Sequence, residues 1–189
     1  MTMNVFVLNS GRCGSTTFIA ACRHIRNYSV GHESRVQCLG EARLAYPPRH
    51  IEADNRLSWM LGRLDRIYGK DASYVHLSRA PAAVAASFAR RTGFGILKAY
   101  REGILLSEGT PTDPLALALD YLDTVEANIA LFLKDKPRVM SVRLETVRED
   151  FIRFWHWIGA EGDLDTALAE WNTRHNASLP EGAEWGKVP

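Results

Sequence analysis

The chain has 189 residues, 46% of them hydrophobic and 24% charged, with 23 basic against 22 acidic side chains. That size predicts one globular domain spanning residues 1–189, and a formal charge of +1 argues against counterion-driven nucleic-acid binding and against a lopsidedly charged disordered tail. Cys13, Cys22 and Cys38 show no CxxC or metal-ligand spacing, and no apolar run approaches the roughly 20 residues of a membrane span. The expectation is a reduced, cytoplasmic protein with no metal, no membrane and no nucleic-acid partner.

The first element is the apolar run Asn4–Leu8, read as a buried strand that ends in a glycine-rich turn. Phe18, Ile19, Cys22 and Ile25 then recur at helical spacing, so a helix begins near Ser15. Tyr28–Val30 reads as a second strand leading into Gly31-His32-Glu33. Residues 34–52, with Pro47-Pro48 and little periodicity, read as an irregular insert. Leu57, Leu61, Leu64 and Tyr68 mark one face of a helix, and Ser73–Leu77 a third strand. Pro81 suits the first position of a helix running to about Arg91, whose Arg90 and Arg91 read as solvated helix-end charges.

Asp113 followed by Pro114 predicts the start of a long helix to about Leu133. Arg138–Leu144 is the fourth strand. Thr146 and Glu149 have capping-box spacing ahead of a helix whose Phe151, Trp155, Trp157 and Ile158 form its core face. A last helix covers about Asp163–Thr173. Strands alternating with helices predict an α/β fold: a parallel sheet flanked by helices on both faces.

The chemistry concentrates between the first strand and the first helix, in Asn9-Ser-Gly-Arg-Cys-Gly-Ser-Thr-Thr17. Backbone N–H groups at a helix N-terminus, with glycines admitting close approach, make an anion site. Arg12 adds a fixed charge, and Ser15, Thr16 and Thr17 add hydroxyls. An arginine excess fits oxyanion binding in general: only five of the basic residues are lysine. A Walker A loop needs Gly-Lys before its Ser or Thr, whereas Gly14 meets Ser15 directly and the first lysine is Lys70. The dinucleotide fingerprint lacks its third glycine, and a Cys-x5-Arg phosphatase loop fails because Ile19 stands six positions after Cys13.

The segment Ser10–Thr16 resembles the phosphosulfate-binding loop of the sulfotransferases that use 3′-phosphoadenosine 5′-phosphosulfate (PAPS). The family's second signature, an Arg at a strand end and a Ser eight positions on, is matched by Arg79 and Ser87 in Val75-His-Leu-Ser-Arg79-Ala-Pro-Ala-Ala-Val-Ala-Ala-Ser87. Val142-Arg-Leu-Glu-Thr146, with the helix ending at Trp157-Ile-Gly159, is similar to the family's late strand, acidic turn and helix. The resemblance implies a sheet sandwich like that of the P-loop NTPases. It also implies sulfuryl transfer from PAPS to a hydroxyl or amine of a small-molecule or carbohydrate acceptor, releasing adenosine 3′,5′-bisphosphate (PAP). Gly11, Arg12, Cys13, Gly14, Ser15, Thr16 and Thr17 would hold the 5′-phosphosulfate, and Arg79 and Ser87 a separate 3′-phosphate.

The resemblance further implies Arg12 as the stabiliser of the leaving oxygen and His32 or Glu33, after the second strand, as the base. Glu33 alternatively orients His32, and strand alternation predicts that only one of the two faces the site. Arg174 falls in a segment that loosely resembles the family's C-terminal nucleotide cover. Phe94 and Tyr46 are candidates for stacking on an acceptor, and His76 reads as a core histidine. A kinase with a degenerate phosphate loop, or a non-catalytic binder of a phosphorylated ligand, are the alternatives.

Overall fold

The computed structural model describes residues 3–107, 109 and 111–173. Five short strands form one all-parallel sheet: β1 (Val5–Leu8), β2 (Ser29–His32), β3 (His50–Ala53), β4 (Ser73–Ser78) and β5 (Val139–Arg143), in the order β2-β3-β1-β4-β5. Every residue of β1 is buried, as expected of a central strand covered on both faces. In register, Val5 faces Ile51 on one side and Ser73 on the other.

The helices are α1 (Ser15–Cys22), α2 (Leu61–Tyr68), α3 (Pro81–Ala89), α4 (Gly95–Ala99), α5 (Pro114–Leu133), α6 (Val147–Trp157) and α7 (Leu164–Ala169). Right-handed crossovers require the β1–β2 connection to lie on the opposite face from those that carry the chain through β3, β4 and β5. Accordingly α1 packs with α6 and α7 on one face, while α3 and α5 pack together on the other. Phe18 of α1 meets Phe151 edge-on at 5.5 Å and Phe154 at 4.9 Å, contacts worth about 0.5–1.5 kcal/mol each beyond burial. On the other face Tyr121 of α5 packs edge-on against Phe88 of α3.

The expected α/β sandwich is present, with three local corrections. Residues 34–52 are not wholly irregular: β3 begins inside that stretch and pairs with both β1 and β2. Its buried His50 and Glu52 hide the strand from a hydrophobicity reading, and they satisfy each other across a 2.9 Å contact. The second strand runs on to His32. Thr146 does not close a capping box; its hydroxyl donates to Asp150 instead, and that carboxylate also accepts the Arg143 amide. Asp113 caps α5 as predicted, accepting from the amides of Leu115 and Ala116.

Tyr46 lies in the core, stacked on His50, so it is unavailable to a ligand. The turn that carries it is pinned by a buried ion pair between Arg43 and Asp54, both almost inaccessible to solvent. His76 is half-buried and hydrogen-bonds Glu126 at 2.7 Å.

Candidate functional site

All five strands point their C-terminal ends at one edge, and the loops leaving that edge enclose a cavity of about 590 Å³. Ligands of open α/β sheets bind on this edge. Its floor is the loop after β1. Gly11 and Gly14 adopt left-handed backbone at φ +93° and +87°. A side chain at Gly11 would come within 2.9 Å of Asn55 and 3.1 Å of Phe88.

The loop is tied from beneath. The Asn9 side chain accepts the Gly11 amide and donates to the Val7 carbonyl, Ser58 donates to the Asn9 carbonyl, and Tyr121 donates to the Ser10 carbonyl. No side chain caps α1, so its first-turn amides open at the cavity with Ser15, Thr16 and Thr17 beside them. Cys13 is buried under the loop, its thiol donating to the Gly11 carbonyl, and burial pushes that thiol up to about 11. It is a structural thiol and does not line the cavity.

Arg12, itself at φ +59°, turns its guanidinium across the cavity to donate to the Ser87 hydroxyl at 3.0 Å. The Arg12 side chain therefore links the loop of the first sequence signature directly to Ser87 of the second. Arg79 leaves the end of β4 onto the same wall. Arg90 and Arg91 line it too: Arg90 is solvated as expected, but both charges act on the site. Burial lowers the Arg12 guanidinium from its ordinary value, and the charges of Arg91, Arg79 and Arg90, in that order, lower it further.

His32 and Glu33 both line the cavity, contrary to the alternation argument, because Glu33 sits at φ +51° and leaves strand geometry. The His32 Nε2 lies 3.2 Å from the Ser15 hydroxyl, at the mouth of α1. Glu33 does not orient His32; it pairs with Arg56 at 2.8 Å. The Ser34 amide and hydroxyl anchor this turn to the buried Glu52 carboxylate. Arg174 lies outside the described residues.

Asn55, Arg56 and Leu144, which the sequence did not single out as individual site residues, also line the cavity, as does Trp171, the first residue of the segment likened to a C-terminal nucleotide cover. Asn55 and Arg56 follow the unrecognised β3. Had the strand been found, its C-terminal end would have marked them. Phe94, 55% exposed, stands on the rim with the Arg91 guanidinium 5.8 Å from its ring centre. Among the described residues there is no cluster able to hold a metal ion, and no helix is long and apolar enough to cross a membrane.

No protein-family model matches the sequence, and no curated protein matches it. Solved structures do match the fold. The mouse sulfotransferase SULT7A1 complexed with PAP aligns at TM-score 0.55 and 13% identity, covering 91% of this chain and 64% of that one. A sulfotransferase from Alicyclobacillus acidocaldarius aligns at TM-score 0.50 and 13% identity, covering 91% of this chain and 95% of that one. The fold is that of these sulfotransferases, and this chain spans less than two thirds of the mouse enzyme.

Proposed function

We propose that this protein transfers a sulfuryl group from PAPS to an acceptor hydroxyl. The observation that carries the reading is the charge of the cavity wall. Arg12, Arg56, Arg79, Arg90 and Arg91 line it against one carboxylate, Glu33, so the described lining carries a net charge of four positive with His32 neutral. PAPS brings about four negative charges at neutral pH: two on its 3′-phosphate and one each on the phosphate and sulfate of its anhydride. The size and polarity of the cavity suit a nucleotide, and the fold likeness to an enzyme complexed with PAP supports the same reading.

The residues divide the work as follows. The α1 amides and the hydroxyls of Ser15, Thr16 and Thr17 hold the 5′-phosphosulfate, with Gly11 and Gly14 allowing close approach. Arg79 and Ser87 hold the 3′-phosphate, and Arg12 bridges the two ends. His32 takes the proton of the acceptor hydroxyl as its oxygen attacks sulfur. The bond from sulfur to the 5′-phosphate oxygen breaks, and the charge left on that oxygen falls on Arg12 and the helix N-terminus. Sulfated acceptor and PAP are the products.

Thermal unfolding tests the nucleotide. PAP at a hundredfold excess over its dissociation constant should stabilise the fold by about 2.7 kcal/mol, and ATP with magnesium should do much less. Stabilisation by ATP with magnesium alone would make the protein a kinase, and stabilisation by neither would remove the nucleotide.

A further inference from the structure

A second cavity, of about 370 Å³, lies on the other side of His32. Its lining comes from one stripe of α1 (Thr16, Ile19 and Ala20) and the residue that follows the helix, Arg23, together with His24, His32 and Glu170. Positions i, i+3, i+4 and i+7 share a helix face, so the groove runs along α1 for about 10 Å at 1.5 Å per residue. Its inner end is Thr16 and His32, the two residues that also line the larger cavity. The partition is thin on the far wall as well. Glu170 and Trp171 are neighbours in one 3-10 turn (Glu170–Asn172), and each lines a different cavity.

The outer end is built and held. The His24 Nε2 pairs with Glu170 at 3.0 Å, and the His24 carbonyl accepts the Asp163 amide. Ile25 bridges Gly162, where an added side chain would fall 2.0 Å from the His24 carbonyl. The groove is therefore a fixed surface leading to the imidazole.

We propose that this groove is the acceptor site and that it takes a neutral, polyhydroxylated, sugar-like molecule; the proposal rests on the sulfuryl-transfer reading. With PAPS in the larger cavity, an acceptor must reach His32 by another approach, and this groove ends at that side chain. The charged residues of its lining, Arg23 and Glu170, sum to zero with the histidines neutral, which selects neither an anion nor an amine cation. Thr16, Arg23, His24 and Glu170 offer donors and acceptors side by side, the pattern that matches hydroxyls, which do both. No aromatic ring besides the histidines lines it among the described residues, so a flat phenolic body has nothing to stack on.

The experiment supplies radiolabelled PAPS with methyl glucoside, a neutral disaccharide, glucosamine, glucuronate or p-nitrophenol, and measures PAP affinity on the same samples. Labelled sulfate should pass to the neutral sugars in preference to the charged ones and the phenol. Arg23→Ala and Glu170→Gln should each raise KM for the sugar roughly tenfold, with kcat and PAP affinity held. PAP binding with no sulfation of a neutral sugar, preference for p-nitrophenol, or an unmoved KM in both variants would overturn the acceptor site and leave the nucleotide reading standing. Failure to bind PAP would overturn both.

Discussion

Arg12 holds a left-handed backbone that costs a non-glycine residue about 1–2 kcal/mol. The strain keeps its side chain over the loop and against Ser87, where three more guanidinium charges act on it. A ligand that carries matching negative charge relieves that repulsion, so single arginines should matter to binding. Arg79→Ala should weaken PAP about ten- to a hundredfold by titration calorimetry, the worth of a hydrogen bond to a charged group. An unchanged affinity would remove Arg79 from the site. His32→Ala should leave PAP affinity intact while lowering kcat by about 10²–10⁴. Cys13 gives a third expectation. A thiol raised to about 11 stays protonated at pH 8, so iodoacetamide should modify Cys13 of the folded protein far more slowly than that of the urea-unfolded chain. At this scale the loop was legible because glycine, hydroxyl and arginine have few other uses between a strand and a helix. Arg91 was not: nothing in the dipeptide Arg90-Arg91 distinguishes a helix-end charge from one turned toward a cavity.

Among the elements, the junction of β1, its loop and α1 carries the most. Gly14 precedes α1 at φ +87°, and a side chain there would meet Leu144 at 2.8 Å. Leu144 can yield, but the backbone cannot, so Gly14→Ala should cost about 1–2 kcal/mol in thermal or urea unfolding and should weaken PAP at the same time. A variant as stable as the parent would mean that the loop relaxes freely. Helix α5 was legible to its first residue because Asp113 and Pro114 act locally. Strand β3 was hidden because its identity depends on partners distant in sequence: His50 and Glu52 are tolerable inside a sheet only because they hydrogen-bond each other, with Ser29 also on His50 and Ser34 on Glu52. The Thr146 box failed for the same kind of reason, since Asp150 offered the hydroxyl a better partner than the helix amides.

For the molecule as a whole, the alternation of strands and helices announced the sheet. The strand order, which brings Arg56, Arg12 and Arg79 to one edge, comes from chain crossovers that periodicity does not encode. The two faces of that sheet are each sewn by a carboxylate that should make the fold sensitive to acid. Burial works to raise Glu126, but the His76 hydrogen bond and charge outweigh it and hold the carboxyl below its ordinary value. Burial likewise opposes ionisation of Asp150, and the Arg143 amide, Arg153 and Thr146 prevail. A folded value below the unfolded one means that this stability is complete above about pH 4.5 and drains as pH falls through the folded values. The urea midpoint should accordingly fall from pH 7 to pH 3, and Glu126→Gln should flatten the fall. An equally steep profile in that variant would assign the acid response elsewhere.

None of the described lysines, Lys70, Lys98, Lys134 and Lys136, reaches the cavity, whose cationic side chains among the described residues are arginines. Amine-directed reagents, including those that couple a protein to a surface or a dye, should therefore spare nucleotide binding. Phenylglyoxal, which condenses with guanidinium groups, should abolish it, and PAP present beforehand should protect.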